Sequence, residues 1–265
     1  MSDANAPDFV IYVIRFAHRD RSSRGEHFYR HVDDCAVGFP IDYYVWAAVC
    51  DGYAVVFDAG FTRATAERRG DREYLASPVD TLADLGVAAD EVDHVVLSHL
   101  HYDHTGHLGD FPNARIWVQR RELQFWTGPH VSRGETPHLC EPGDLVGLVR
   151  ANLAGRVRQV DGDVTIVPGV TAHLVGGHTA GLQILRVKTA LGHAVLTADA
   201  SHFYANLDGD RPYSIVDHLP SMYDAFDRIN ELADSPDLIV AGHDPEVLTR
   251  FPTVDDLDGL VVRVG

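Results

Sequence analysis

Cysteine is scarce in this chain of 265 residues: Cys35, Cys50 and Cys140 are widely spaced and odd in number. They form neither a disulfide framework nor a CxxC metal pair, which fits a reduced compartment, and the cytoplasm is the expected location. Basic residues are also few, 22 Lys and Arg against 39 Asp and Glu, giving a formal charge of −17. Such a surface repels phosphate backbones and argues against a nucleic-acid substrate. Long apolar runs are missing. None approaches the ~20 residues needed to span a bilayer, so no membrane partner is expected. No repeat, low-complexity tract or linker divides the chain, which reads as one domain over residues 1–265. Its polar start lacks the basic region of a signal peptide, and residues 1–8 read as a disordered leader.

What the chain does have is histidine, set in one dense string. Ser98-His99-Leu100-His101-Tyr102-Asp103-His104 follows the apolar run Val95-Val96-Leu97. Strand side chains repeat every two residues, so His99 and His101 project to one side, while Asp103 and His104 approach from the turn that follows. Neutral imidazole and carboxylate are the ligands that zinc and similar divalent ions prefer. Three further candidates each follow or close an apolar run: His178 in Gly176-Gly177-His178, Asp199 after Ala194–Ala198, and His243 after Leu238–Gly242. Seven ligands are too many for one tetrahedral ion and suit two ions that share a carboxylate. The site is therefore expected to be dinuclear, with zinc first and manganese, iron or cobalt suited to the same ligands. His18, His27, His31, His94, His107, His130, His138, His173, His193 and His218 read as solvated or hydrogen-bonded surface groups.

Taken in order, Phe9–Phe16 reads as a strand, and residues 17–40 as a polar segment without periodicity that lies over the site mouth as a lid. Tyr43–Val49 and Tyr53–Phe57 flank Asp51-Gly52, a hairpin signal. Asp58, at the end of the second run, either orients a ligand or forms a turn. Ser77-Pro78 caps a short helix, and Val92–Leu97 delivers the histidine string. Arg115–Gln119 reads as a strand, Arg120–Trp126 as a helix and Leu145–Leu153 as a weak helix. From residue 156 five short strands follow between Gly-containing turns. Met222, Ala225, Phe226, Ile229 and Leu232 then recur at helical spacing, and Asp237–Val240 is the last buried strand expected. Strands in both halves, each with helices, imply an α+β fold of two mixed sheets packed face to face with helices outside, the ligand segments meeting at one edge.

The HxHxDH run with His178, Asp199 and His243 downstream resembles the metallo-β-lactamase superfamily, from about Phe9 to His243. The resemblance implies an αββα sandwich in which His99, His101 and His178 hold one metal. It likewise implies that Asp103, His104 and His243 hold a second, with Asp199 bridging. Within that superfamily the Ser98–Gly106 string, Asp199-Ala200-Ser201 and Gly242-His243-Asp244 are most similar to the N-acyl-homoserine lactonases and the related 4-pyridoxolactonases. The lactonases commonly carry a tyrosine three residues after the bridging Asp, positioned to contact the substrate carbonyl. Here that position is His202, and the nearest tyrosine is Tyr204.

The expected reaction is opening of a small-molecule lactone by a metal-bridging hydroxide. His202 or Tyr204 would polarise the carbonyl, and Asp103 would pass a proton to the leaving oxygen. A homodimer is left open. Rival readings are another cyclic ester, a glyoxalase II-like thioesterase, a β-lactamase proper and a metal-binding protein without activity. The thioesterase type recognises glutathione with a basic C-terminal part, whereas the residues after His243 are mostly acidic and apolar. The β-lactamases often use a cysteine ligand where this chain has Asp199.

Overall fold

The first strand, β1 (Val10–Arg19), is apolar on both faces: Ile11 and Val13 point one way, Ile14 and Phe16 the other. β2 (Ile41–Cys50) repeats this with Tyr44, Trp46 and Ala48 opposite Tyr43, Val45 and Ala47. A sheet buried on both sides needs a cover on each. A computed structural model, which describes residues 5–30 and 32–265, shows what supplies them. The layers run helix, sheet, sheet, helix.

β3 (Tyr53–Phe57) closes a hairpin with β2 at Asp51-Gly52, and β4 (Glu73–Tyr74) pairs with the end of β1. β5 (His94–Val96), β6 (Arg115–Gln119) and β7 (Val157–Val160) extend the same sheet in parallel. The second sheet holds β8 (Val164–Val167), β9 (Val170–Leu174), β10 (Gln183–Thr189), β11 (Gly192–Leu196) and β12 (Ile239–Val240). The chain then returns as β13 (Val261–Val264) to the outer edge of β1, giving sheets of eight and five strands. The expected two-sheet sandwich is thus the architecture observed.

α1 (Arg24–His27) sets His27 against Phe39 and Phe203, and four helices pack on the first-sheet side: α2 (Arg63–Arg69), α3 (Pro78–Asp84), α4 (Arg120–Trp126) and α5 (Pro142–Leu153). α3 starts as its sequence implies: Ser77 Oγ accepts from the Asp80 N–H at 3.2 Å and Pro78 fills the first turn. After the short α6 (Tyr204–Asp208), α7 (Leu219–Leu232) covers the second sheet, burying Met222, Ala225, Phe226, Ile229 and Leu232 on one face. Between the sheets Trp46, Phe57, Val55 and Val96 meet Leu185, Val187, Leu196 and Val240. Among the described residues no helix is long and apolar enough to cross a membrane.

Several expectations need correction. Residues 17–40 are not structureless, since β1 runs to Arg19 and α1 follows. His27 is buried, 1% exposed, and is no surface group. His173 is buried too, between Asp163 and Thr171. His31 and residues 1–4 lie outside the described residues, but the rest of the supposed leader is held: Lys188 Nζ donates to Ala6 O at 2.6 Å and pairs with Asp8. The last strand is β13 and not 237–240, where Pro236–Leu238 winds into a 3₁₀ turn ahead of the two-residue β12.

Candidate metal centre

Four loops reach the same edge of the sandwich. The string 99–104 leaves β5 in the first sheet, whereas His178 follows β9, Asp199 follows β11 and His243 follows β12 in the second. Their side chains converge. Donor atoms of His99, His101, His178 and Asp199 lie within 4.8 Å of one another, as do those of Asp103, His104 and His243. His202 joins Asp199 and His243 in a third such group. Tyr204 does not join: its hydroxyl donates to Ile239 O at 3.1 Å and its ring lies in the inter-sheet core. The expected role of Tyr204 as a carbonyl donor is therefore corrected.

Asp199 organises the cluster, 2% exposed, with its two oxygens facing different partners. Oδ2 lies 3.1 Å from His178 Nε2, 3.6 Å from His99 Nε2 and 3.0 Å from His202 Nε2. Oδ1 lies 2.9 Å from His243 Nε2 and 3.3 Å from His104 Nε2. One carboxylate thus separates two sets of imidazoles.

Most of these rings are held from behind. His104 donates Nδ1–H to Asp58 Oδ2 at 2.7 Å, while Asp58 Oδ1 accepts the Ser98 N–H at 2.6 Å. Asp58 is an orienting group. It holds φ at +65°, an uncommon conformation for a non-glycine residue. His243 donates Nδ1–H to Asp42 O at 2.7 Å, and the Asp42 N–H returns to His243 O at 3.0 Å. His178 donates to Ile215 O at 2.9 Å, and His99 Nδ1 meets Ser98 Oγ at 2.9 Å. Such bonds leave Nε2 with its lone pair directed into the cluster. His101 is the exception, facing inward through Nδ1, 3.0 Å from His178 Nε2.

The electrostatics favour a cation here. Burial and neighbouring imidazoles hold His99 and His101 well below the usual histidine range. Burial also opposes charge on His104, yet Asp58, Asp199 and Asp103 together outweigh it and raise its pKa. The potential that would keep a proton on His104 also attracts a metal ion. His99 Nε2 and His104 Nε2 are buried with no hydrogen-bond partner, which is costly for a polar group unless something binds it. The donor set and these orphaned nitrogens fit two divalent cations.

Sequence reasoning missed Asp42, His27 and Tyr213. Tyr213 stacks on His202 with ring centroids 3.3 Å apart, and its hydroxyl lies 3.3 Å from His27 Nδ1. Asp42, a carboxylate inside an apolar strand, was the one visible signal.

Known proteins share this arrangement of sequence and fold. The profile of the Metallo-beta-lactamase superfamily matches residues 41–243. Over 214 residues the chain is 31% identical to the N-acyl homoserine lactonase AttM of Rhizobium radiobacter, covering 78% of this chain and 73% of AttM. It is 30% identical over 173 residues to the N-acyl homoserine lactonase AiiA of Bacillus thuringiensis subsp. kurstaki, covering 63% of this chain. There it spans 62% of the relative's length. A crystal structure of a quorum-quenching N-acyl homoserine lactone lactonase superposes with a TM-score of 0.72 over 91% of this chain and 94% of that one. At 22% identity this is a likeness of fold.

Proposed function

Because this chain belongs to the metallo-beta-lactamase superfamily, we propose that it is a dinuclear metal hydrolase that opens a lactone ring of the N-acyl-homoserine type. The observation that carries this reading is the division of Asp199, one oxygen facing each set of imidazoles. In it His99, His101 and His178 hold one ion, Asp103, His104 and His243 the other, and Asp199 both. When bound, two divalent cations supply Lewis acidity and bring the pKa of water toward neutrality.

The chain's own residues supply the rest. His202 is the group that would polarise the substrate carbonyl: its Nε2 faces Asp199, and its Nδ1 is buried without a partner. Asp103, 12% exposed where Asp199 is almost sealed, is the accessible carboxylate and carries the proton to the leaving ring oxygen. Beside His101 and His178 a cavity of ≈ 120 Å³ is lined by Phe125, Trp126, Leu139 and Ile215. Its apolar wall receives the substituent on the lactone and keeps water from the reacting carbon.

The test is a panel of γ-lactones of varied acyl length, given to zinc-loaded protein with acid release followed in a pH-stat. Turnover of lactones above thioesters is expected. Two bound metals with no turnover of any ester, or faster thioester cleavage, would overturn the lactonase reading.

A further inference from the structure

Among the described residues, only His101 of the ligand imidazoles lacks an orienting bond of its own, since His178 and His99 have theirs to Ile215 O and Ser98 Oγ. His104 and His243 each have a direct orienting bond, to Asp58 and to the Asp42 carbonyl. The segments that carry His101 and His178 are in addition tied to each other by a residue outside the cluster. We infer that Glu122, on α4, is a positioning residue that sets the first-metal ligands and leaves the second-metal ligands to their own anchors. This rests on the dinuclear reading above.

Glu122 is wholly buried. Its Oε1 accepts from Leu100 N at 3.0 Å and from Trp126 Nε1 at 2.7 Å, and its Oε2 accepts from Gly181 N at 2.8 Å. The three donors come from three places. Leu100 lies between His99 and His101, and Gly181 lies three residues after His178. Trp126 packs edge-on against His101, ring centroids 5.7 Å apart. One side chain therefore ties the histidine string of the first sheet to the His178 loop of the second. The approach is close: a Cβ on Gly181 would sit 2.4 Å from Glu122 N, so only glycine admits it. These three N–H groups require both oxygens to act as acceptors, and the Thr179 hydroxyl stands beside the same carboxylate. An amide would turn an NH₂ toward a donor at one of them.

Glu122→Gln keeps the size and removes that match. Zinc affinity is measured by competition with a colorimetric chelator in two backgrounds: His243→Ala, which leaves only the first site, and His178→Ala, which leaves only the second. The expected result is a loss of about 10- to 100-fold in the first background, the range typical of outer-shell partners, and less than about 3-fold in the second. Equal weakening in both would make Glu122 a general scaffold residue and overturn the inference, as would no weakening in either. Should Glu122→Gln fail to fold, Trp126→Phe removes one donor while keeping a ring against His101. It must show the same site preference with a smaller loss, and its absence is equally fatal. Wild-type protein that binds fewer than two zinc ions would instead sink the dinuclear reading, an outcome distinct from the others.

Discussion

His27 shows how one side chain ties a distant segment to the site. Its Nε2–H donates to Phe39 O at 3.0 Å, its Nδ1 faces the Tyr213 hydroxyl, and burial pushes its pKa down to about 4. The unfolded chain therefore takes up this proton first as the pH falls. The contribution of His27 is complete above pH 6.5 and is lost between there and about 4, by at most about 3 kcal/mol. Urea unfolding from pH 8 to 4 should show a steeper acid loss for wild type than for His27→Gln, and parallel curves would refute it. Asp199→Ala should lose metal as well as rate, with affinity down at least ~100-fold; full metal content by elemental analysis would contradict its shared position. At this scale the ligands were legible because they sit in one string and at strand ends, where the chain order itself exposes them. His27 and Glu122 were not, and Asp42 showed only as a carboxylate inside an apolar strand. What distinguishes each from a surface residue is a partner far along the chain, 186 residues away for His27 and Tyr213.

Elements obey the same division. β6, α4 and β8 fall where their patterns place them, because alternation and helical spacing are local properties. β4 is two residues long and is a strand only by pairing with β1, which no local pattern can show. β13 follows a run of acidic residues and owes its place to the open edge of β1. One close crossing also governs the site: the chain just past β12 passes the turn at Ala198 so tightly that a Cβ on Gly242 would lie 2.1 Å from Ala198 O. Gly242→Ala should cost about 1–3 kcal/mol by overpacking and reduce second-site metal, since it displaces the neighbouring His243. Unchanged unfolding and metal content would show that the crossing can relax. On the outer face, Ile229→Ala in α7 should cost about 2–5 kcal/mol in urea unfolding while leaving metal content intact.

For the molecule as a whole, a formal charge of −17 makes cation loss a matter of stability. Chelation should lower Tm, and free zinc at 100 times its Kd should restore about 2.7 kcal/mol. A Tm indifferent to zinc would mean that the ions do not discriminate folded from unfolded chain. The ligands are drawn from both sheets, residues 99–104 from one and 178, 199 and 243 from the other. Neither sheet alone can assemble either centre, so cations are captured only after the halves have docked. Ions bound there would act as rivets across the seam: the two halves could not part without first releasing them, and the lifetime of the native state would be tied to the rate at which metal escapes.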